Sequence, residues 1–369
     1  MSNFISDFFS GLNKGSESVL GIDIGSSSLK VVQLRKKGGK AILETYGELS
    51  LGPYAGVEIG RSTNLPPEKI AEALSDLLKE ANVTTKNCGV SIPIGSSLIS
   101  FVEMPDLDKR QLDIMVPIEA RKYIPVPITE VSLDWWIIPQ DELSYSDSNT
   151  QSRKQSIEVL VVAIHNDSLN KYQTAIQGAG LNSSFYELEI FGTIRAIVDS
   201  GITAQMIFDM GSASTKLYVV ERGILRSSHT LNKGSQDITL NLSRSLGISV
   251  EEAESMKRGT GANKEKNAQN MLDIIKMTMD PVFTEVNRVL LSYQKKYNKN
   301  VSRVILTGGA VMLKDFISLA RKDLDTEVIS GDPFSKVMVP AFLEEMLRTT
   351  GTEFAVAVGV ALRKLQELE

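Results

Sequence analysis

GIDIGSSSLK, at residues 21–30, returns in altered form as IFDMGSASTK at residues 207–216. The two stretches share the pattern D-x-G-S-x-S-x-K and stand almost half a chain length apart in a protein of 369 residues. Apolar runs precede and follow both copies, which is typical of a strand, a tight Gly/Ser turn and a second strand. The repeat therefore predicts two related halves, each opening with the same β-hairpin.

The residue types in these turns suit the binding of phosphate. Glycine permits tight turns and lets backbone N–H groups approach an anion with no Cβ in the way. Asp23 and Asp209 end the first strands, where they would repel phosphate directly but could hold a hydrated Mg²⁺ that touches it. For either copy taken alone, the alternative to phosphate binding is an ordinary hairpin in which the Asp only favours the turn. The turn residues predicted to contact phosphate are Gly25, Ser26, Ser27, Ser28, Gly211, Ser212, Ala213 and Ser214.

Composition excludes several classes of protein. Hydrophobic residues make up 42% of the chain and charged residues 23%, as in ordinary soluble proteins. The net charge of −5 argues against a general nucleic-acid binder, because that function needs a basic face. The single cysteine, Cys88, excludes a disulfide framework, and the two distant histidines, His165 and His229, leave little for a histidine-built metal centre.

The sequence also bears on the membrane. It contains no run of about 18 apolar residues, so it predicts no membrane span. The first residues lack the basic region of a secretory signal, so we expect a cytoplasmic protein. One apolar stripe on a short N-terminal helix predicts either a loose tail packed on the body or a helix at a membrane surface. The stripe consists of Phe4, Ile5, Phe8, Phe9 and Leu12.

The doubled hairpin resembles the two phosphate loops of the actin-like ATPase superfamily, which includes actin, Hsp70, sugar kinases and the cell-division protein FtsA. LTGGA at 306–310 looks like the superfamily's adenosine loop, and ISVEEAESMK at 248–257 looks like its E-A-E-x-x-K helix. YELEIFGTIRA at 186–196 is similar to its V-E-P-x-A segment. Over its whole length the chain resembles the PilM family of type IV pilus assembly proteins, most specifically in EARKYIPVPITEVSLDWWII at 119–138.

This resemblance implies cofactors and residue roles. ATP and Mg²⁺ are the expected cofactors, with Asp23 and Asp209 at the metal. Lys30 is expected to contact phosphate, as at the matching actin position, whereas Lys216 has no such precedent. Glu189 matches the Glu that positions the attacking water, but the family's next residue, Pro, is replaced by Ile190. Glu189 is therefore a weak catalytic candidate.

The remaining expected contacts lie on the nucleoside side. Gly308 and Gly309 let the backbone lie flat against the nucleotide. Glu254 and Lys257 are expected to reach the ribose and adenine, with a simple i,i+3 ion pair on a helix face as the alternative. Gly234 precedes a helix start, and helix N-termini bind anions readily, so we expect it near the nucleotide.

The implied fold class is α/β, an actin-like ATPase fold in which duplicated ribonuclease-H-like domains surround a nucleotide cleft, with an inserted α+β subdomain 1C. We expect helices over 66–82, 109–123, 167–179, 235–246, 250–258 and 352–368, and one over 266–298 that is broken or kinked near Pro281. Subdomain 1C is expected to contain strands at 89–94, 98–103, 131–138 and 158–164. The predicted parts are an N-terminal tail at 1–17, subdomain 1A at 18–87, 183–200 and 350–369, subdomain 1C at 88–182, subdomain 2A at 201–234 and 300–349, and subdomain 2B at 235–299.

The resemblance implies a partner as well. In the family, a groove between subdomains 1A and 1C captures the N-terminal cytoplasmic peptide of the membrane protein PilN. This links the assembly platform of the inner membrane to the pilus motor ATPases. We expect residues 121–136 to form one wall of that groove, with one of Trp135 and Trp136 buried and the other accessible. The protein would then be peripheral on the cytoplasmic face of the inner membrane.

Two classes of function follow, and the sequence leaves both open. The first is a nucleotide-gated scaffold, in which ATP sets the angle between the halves and thereby controls partner binding. The second is an enzyme, either an ATPase or a small-molecule kinase, although no sugar-kinase acceptor signature is present and Glu189 is the one candidate to orient water. Filament formation of the actin or FtsA type is a further alternative.

Overall fold

The computed structural model describes residues 18–139, 156–199, 201–259, 268–313 and 315–368. The predicted N-terminal stripe lies outside these residues. The chain divides into two compact units, one made of residues up to Ser91 together with Thr174–Glu369, the other of Ile92–Gln173. In the described part, no helix combines the length and the apolar character needed to cross a bilayer.

The first sheet of the larger unit has six strands, in the order β14-β3-β2-β1-β4-β8. Strands β1, β2 and β3 form an antiparallel meander, and β4 pairs with β1 in parallel. The residues of β4 from Cys88 onward are buried, as is usual for a parallel strand inside a sheet. The strands are β1 (Ser18–Ile24), β2 (Ser28–Lys37), β3 (Lys40–Ser50), β4 (Asn87–Ile92), β8 (Asn182–Leu188) and β14 (Val337–Met338).

The second sheet repeats this design with five strands, in the order β11-β10-β9-β12-β13. Again three antiparallel strands lead into a parallel fourth strand, which pairs with the first of the set. The prediction that each half opens with the same hairpin is confirmed. The strands are β9 (Gln205–Met210), β10 (Thr215–Glu221), β11 (Ile224–Leu231), β12 (Arg303–Thr307) and β13 (Glu327–Ser330).

Two strands belong to a different part of the fold from the one predicted. Strand β4 was expected to open subdomain 1C, yet it belongs to the sheet of the first half. Strand β14 was expected in subdomain 2A, yet it pairs in parallel with β3 of the first sheet. Both differences arise from pairing between distant parts of the chain, which local patterns do not report. The subdomain borders as a whole stay predictions.

Most expected helices of the larger unit are present. The helix expected to be broken or kinked near Pro281 is not broken, because α7 runs through Pro281 without interruption, and a kink at Pro281 stays a prediction. Its neighbours Met279, Val282 and Phe283 are buried in the core of the second half, which holds the helix together there. The helices are α1 (Pro67–Glu80), α4 (Glu189–Ile197), α5 (Ser235–Leu246), α6 (Val250–Lys257), α7 (Ala268–Tyr297), α8 (Phe316–Asp323), α9 (Ala341–Thr350) and α10 (Ala355–Gln366).

Helices α4 and α10 cross at unusually close range. A Cβ on Gly359 of α10 would lie 1.8 Å from the carbonyl oxygen of Gly192 on α4. A Cβ on Gly21 of β1 would lie 2.0 Å from the carbonyl oxygen of Ala357. Glycine is therefore required where these two helices and the first sheet meet.

The smaller unit is a three-stranded antiparallel sheet in the order β5-β7-β6, with one helix, α2, packed against it. A capping box starts α2, since Asp108 accepts from the Gln111 N–H and the Gln111 side chain accepts from the Asp108 N–H. Helix α3 follows β7 and ends beyond the border of the unit. The elements are β5 (Ser97–Pro105), α2 (Lys109–Ala120), β6 (Val131–Ile138), β7 (Ser156–His165) and α3 (Asn166–Gly178).

Candidate nucleotide site

The two Gly/Ser turns have the same backbone geometry. In the first, the Gly25 N–H donates to the Ser28 carbonyl at 3.0 Å, and in the second the Gly211 N–H donates to the Ser214 carbonyl at 3.0 Å. The strand registers also match, because Asp23 pairs with Lys30 across its hairpin just as Asp209 pairs with Lys216. The sequence repeat is thus a structural repeat at the level of single residues.

The two hairpins converge on one cavity of about 90 Å³. Both aspartates, both lysines and Glu189 line it, together with the turn residues of each hairpin and Gly308. A second cavity of about 80 Å³ shares Ser27, Ser28 and Lys30 with the first. Of the predicted residues, Glu254 and Lys257 line this second cavity, Gly309 lines both cavities, and Gly234 lines neither.

Lys30 is held among hydrogen-bond acceptors. Its Nζ donates to the Ser28 Oγ at 2.6 Å and lies 3.1 Å from the Glu48 Oε1 and 4.0 Å from the Glu353 Oε2. Burial acts to lower the pKa of Lys30, but Glu48, Glu353 and Asp23 outweigh it and raise the pKa. Lys30 therefore stays a cation at the floor of the cavity.

Lys216 forms an ion pair that sequence reasoning did not find. Its Nζ lies 2.7 Å from the Glu189 Oε2 and 3.8 Å from the Asp209 Oδ2. Burial acts to lower the pKa of Lys216, and the carboxylates of Glu189 and Asp209 raise it by a larger amount. Glu189, at the first position of α4, therefore has its Oε2 engaged by Lys216 at the cavity.

The two aspartates are harder to ionise than usual. Burial raises the pKa of the Asp23 carboxyl to about 6, with Lys30 opposing and Glu189 adding to the rise. Burial likewise raises the pKa of Asp209, against the attraction of Lys216. The Ser91 hydroxyl donates to the Asp23 Oδ1 at 2.9 Å and so fixes the orientation of that carboxylate.

The residues present fit a hydrated Mg²⁺. Carboxylate oxygens are the ligands this ion prefers, and it usually keeps several waters. Asp23 and Asp209 offer such oxygens at the same cavity. Within the described residues no three acidic, histidine or cysteine side chains come together as a metal-binding group, so an ion held here would retain most of its water shell. A divalent cation would also offset the cost of burying both carboxylates.

Glu254 and Lys257 form a buried ion pair at 2.5 Å, with side chains 5% and 7% exposed. The Thr239 hydroxyl joins them, donating to the Glu254 Oε2 at 2.7 Å and accepting from the Lys257 Nζ at 2.8 Å. Burial acts to raise the pKa of Glu254, yet Lys257 and Arg258 lower it. The ion-pair alternative is therefore observed, and the same pair also borders the cavity, so contact with a nucleotide requires it to rearrange.

Gly308 is required by its surroundings. Its φ is +87°, and a Cβ there would lie 2.5 Å from the Met210 carbonyl oxygen and 2.8 Å from the Asp209 Oδ1. Its N–H donates to the Thr352 carbonyl, and the Thr307 hydroxyl donates to the same carbonyl at 2.8 Å. The adenosine-loop segment is thus tied to the second hairpin and to the residues that precede α10.

Gly234 has a packing role in this structure. A Cβ at this position would lie 2.2 Å from the carbonyl oxygen of Ser212. The first N–H groups of α5, those of Ser235 and Gln236, donate to the carbonyls of Gly211 and Ser212. Anion binding at this helix start would require those bonds to break, because the second turn already occupies it.

Three charged residues that we did not predict border the site. Glu48, Glu353 and Arg258 line the second cavity, and the Arg258 Nη1 lies 3.9 Å from the Glu48 Oε2, joining the two halves. Burial raises the pKa of Glu353 to about 7, with Lys30 opposing and Glu48 adding to the rise. The only sequence signal was the position of Arg258 directly after the E-A-E-x-x-K helix.

A chain segment between β3 and α1 also crosses the site. The Thr63 N–H donates to the Ser26 carbonyl at 2.7 Å, and the Ser62 N–H donates to the Gln236 Oε1 at 2.6 Å. The hydroxyls of Ser62 and Ser212 are 3.3 Å apart. We call residues 51–65 the crossing segment. It joins the first turn to the second half of the molecule.

In the smaller unit, the predicted wall at 121–136 has both apolar and backbone features of a binding surface. Strand β6 is an edge strand, since it pairs with β7 alone among the described strands. Trp136 is 45% exposed, and Ile137 and Tyr123 are exposed as well. Trp135 is partly buried and packs on the core of the unit, so the two rings differ in exposure in the expected sense, although neither is fully buried.

Comparison with solved structures agrees with this architecture. The structure described as the PilM-PilN type IV pilus biogenesis complex is 23% identical, with a TM-score of 0.78 over 94% of this chain and 98% of that one. EutJ, an ethanolamine utilization protein from Carboxydothermus hydrogenoformans, is 16% identical, with a TM-score of 0.53 over 94% and 89%. MreB5 of Spiroplasma citri, bound to ADP, is 8% identical, with a TM-score of 0.51 over 95% and 98%. The expected actin-like ATPase fold is confirmed.

Sequence comparison identifies the family. The chain is 24% identical to the cell division protein FtsA of Neisseria meningitidis serogroup B (strain ATCC BAA-335 / MC58), covering 85% of this chain and 82% of that protein. The family model described as type IV pilus assembly protein PilM matches residues 21–365, from the first hairpin to the last turn of α10. With the doubled hairpin, the inserted unit and this match in agreement, the chain belongs to the PilM family of type IV pilus assembly proteins.

Proposed function

We propose that this protein is an ATP-binding scaffold of the type IV pilus assembly platform, peripheral on the cytoplasmic face of the inner membrane. It binds the N-terminal cytoplasmic peptide of PilN and couples the platform to the pilus motor ATPases. The observation that carries the nucleotide part is the matched pair of hairpin turns, which bring two aspartates and two lysines to one cavity. MreB5, which has the same fold, is bound to ADP in its structure.

Each hairpin has a defined part in nucleotide binding. Lys30 and the Gly25–Ser28 turn hold phosphate oxygens from the first half, and the Gly211–Ser214 turn holds them from the second. Asp23 and Asp209 hold the waters of Mg²⁺, which neutralises phosphate charge when bound. Gly308 and Gly309 border the nucleoside. The cavities of about 80 and 90 Å³ are smaller than the ~300 Å³ of a typical ligand pocket, so the halves must separate for ATP to enter.

Turnover of ATP in this site is slow or absent. A residue that orients the attacking water must be within hydrogen-bond reach of it. Glu189 is the one candidate from the sequence, and its carboxylate is paired with Lys216 at 2.7 Å. A water molecule at Glu189 would share this carboxylate with Lys216. This pairing favours nucleotide-dependent scaffolding over a working ATPase.

The smaller unit supplies the surface for the PilN peptide. The structure described as the PilM-PilN complex has this fold, which supports PilN as the partner. An extended peptide can add to an exposed strand edge through main-chain hydrogen bonds and place side chains on neighbouring apolar groups. The β6 edge and the exposed ring of Trp136 provide both features.

The test uses the two tryptophans of the chain, Trp135 and Trp136, as the reporters. A synthetic N-terminal PilN peptide is titrated while intrinsic fluorescence is recorded, and Mg·ATP is titrated separately by calorimetry with phosphate release followed. We expect a saturable fluorescence change, nucleotide binding and negligible phosphate release. Trp136→Ala should weaken peptide binding about tenfold or more, whereas Phe342→Ala, an even more exposed aromatic in the larger unit, should not. Calorimetry measures both variants, because Trp136→Ala lacks one of the two reporters.

Other results would change the proposal. No saturable response to the peptide would remove PilN as the partner, and no heat with Mg·ATP would remove the nucleotide site. Steady phosphate release accelerated by the peptide would make the protein a working ATPase with Glu189 at the centre of its mechanism. Nucleotide-dependent filaments in sedimentation would favour the FtsA-like alternative.

A further inference from the structure

A groove is lined by residues of helices α4 and α10 that do not line the candidate nucleotide cavity. Its volume is about 870 Å³, roughly ten times that of either cavity between the hairpins. On α4, Glu189 and Thr193 line the nucleotide cavity, whereas Phe191, Ile194 and Arg195 line the groove from another face of this short helix. On α10, the first residues line the cavity and the last residues line the groove. The apolar lining of the groove comes from Phe191, Ile194, Val198, Ile202, Leu362 and Leu365.

Both halves of the fold contribute to the groove. The hairpin between β2 and β3 borders it on the side of the first half, and the turn at Arg222 and Gly223, between β10 and β11, borders it on the side of the second. Ile202 lines it and is 72% exposed, an unusual exposure for a large aliphatic side chain. An apolar groove with such an exposed rim is typical of a protein-binding surface.

The charge around the groove is opposite in sign to that of the whole protein. Four cations line it, and Asp199 is the one acidic side chain in the described lining. The chain as a whole has a net charge of −5, so this positive ring is a local exception. The cations come from four separate segments and surround the apolar lining. They are Lys36, Arg195, Arg222 and Lys336.

Two of the cations are held in place by contacts inside the larger unit. The Lys336 Nζ donates to the carbonyls of Arg195 and Val198 at 2.8 and 2.7 Å, and so caps the C-terminus of α4. The Arg195 Nη1 donates to the Glu187 Oε1 at 2.7 Å. The positive ring is therefore preorganised, which lowers the entropic cost of binding an anionic partner.

We propose that this groove binds an amphipathic helical segment of a partner protein, with its apolar stripe on the groove lining and acidic side chains facing the four cations. A helix laid in an apolar groove is a common recognition mode, and complementary charge at the rim sets its specificity. The site shares no residue with the proposed PilN surface in the smaller unit. It requires neither PilN nor nucleotide, so its test is independent of the proposed function.

A display library tests the proposal without a known partner. Peptides carry apolar residues at i, i+3, i+4 and i+7, the spacing of a groove-binding helix, and every other position is randomised. Selection against the full-length protein should enrich Asp and Glu at the randomised positions. An enriched peptide, synthesised with a fluorescein label, should bind more weakly as salt concentration rises, because screening reduces the charge attraction.

Two groove variants and a matched control locate the site. Arg222→Asn removes one cation at a position with φ +55°, which Asn tolerates well, and Ile202→Asp adds a charge to an exposed residue. Together they should weaken peptide binding at least about tenfold, or ~1.4 kcal/mol. Lys37→Asn removes an exposed lysine next to Lys36 but outside the lining, and should leave binding unchanged.

The results that would overturn the proposal are distinct. Selected peptides without acidic enrichment, or equal binding to the wild type and to the double variant, would show that the groove is not the site. Binding to phosphatidylglycerol vesicles that Arg222→Asn abolishes, with no peptide enriched, would assign the groove to a lipid surface instead. Thermal unfolding of each variant, compared with the wild type, establishes that all are folded.

Discussion

At the scale of single residues, the candidate site is a balance of buried charges. Asp23, Asp209 and Glu189 face Lys30 and Lys216 around one small cavity. Removing one member of such a set leaves another charge buried without its partner, which costs more than the pair itself contributes. Substitutions at these positions therefore distinguish residues that bind a ligand from residues that form ion pairs with each other.

The role of Asp23 is tested by its removal. Asp23→Ala is expected to abolish Mg·ATP binding in calorimetry, because the metal waters lose one of their two carboxylates. The exposed Asp325→Ala is the control and should bind as the wild type does. Unchanged affinity of the Asp23 variant would refute the assignment of this residue to the metal.

The Lys216–Glu189 pair is tested by a double-mutant cycle. Lys216→Met leaves the buried Glu189 carboxylate without its closest cation, and should lower the free energy of unfolding by ~3 kcal/mol. Adding Glu189→Gln removes the uncompensated charge and should restore most of that loss. Denaturant unfolding measures both steps, and strictly additive effects would contradict the pairing.

Glu353 is expected to make stability depend on pH. Burial raises its pKa from 4.5 to about 7, so the folded protein holds this proton more tightly than the unfolded chain does. Stability from this group is full below pH 4.5 and is lost as the pH rises to about 7. Glu353→Gln keeps the shape without the charge, and above pH 7 it should be more stable than the wild type by up to ~3 kcal/mol.

The control for Glu353 is the exposed Glu345→Gln, whose stability should follow the wild type at every pH. Chemical denaturation at several pH values gives the comparison. A Glu353→Gln variant that is less stable than the wild type above pH 7 would mean that the carboxylate stabilises the fold there, contrary to the expected sign.

At the scale of elements, the crossing of α4 and α10 brings two helix backbones into close contact. Gly192 and Gly359 bring the two backbones together, and Gly21 brings β1 against α10. These helices also carry residues of both the candidate nucleotide site and the groove. A change at the crossing therefore reaches both surfaces through rigid backbone.

Gly359→Ala tests this crossing. The added Cβ would lie 1.8 Å from the Gly192 carbonyl oxygen, so the helices must shift apart. We expect a loss of stability of ~4 kcal/mol or more, or failure to fold. Gly95→Ala, where a Cβ would meet nothing within 4 Å, should be near neutral by thermal unfolding. Similar stability of the two variants would show that the crossing can relax.

At the scale of the whole larger unit, contacts between the halves close the site. The crossing segment bonds to Ser26 on one side and to Gln236 on the other, and Arg258 approaches Glu48. The enclosed cavities are too small for a nucleotide. Under the proposed function, entry of ATP would break some of these contacts, and their strength would set how fast the halves separate.

Gln236→Ala tests that closure. It removes the acceptor for the Ser62 N–H, a hydrogen bond worth ~1 kcal/mol, so association of a fluorescent ATP analogue should accelerate up to about fivefold. Stopped-flow mixing measures the rate, and the exposed Gln177→Ala serves as the control. An unchanged association rate would mean that the crossing segment does not limit entry.

Much of this molecule is determined by local sequence. The two hairpins follow from Gly/Ser turns between apolar runs, and helices such as Pro67–Glu80 and Ser235–Leu246 follow from periodic apolar residues. The duplicated D-x-G-S-x-S-x-K pattern was enough to name the hairpin residues that line the first cavity. Turn chemistry and hydrophobic period act over a few residues, so a single stretch of sequence contains the information.

Tertiary structure alone decided the rest. The pairing of Lys216 with Glu189, the placement of β4 and β14 in the first sheet, and the four cations that line the groove all join separate elements of the chain. Such contacts depend on how whole elements pack. No local pattern predicts which distant carboxylate a buried lysine will contact. The sequence thus determined the two hairpins, whereas tertiary packing decided which charged side chains pair beside them and which residues line the groove.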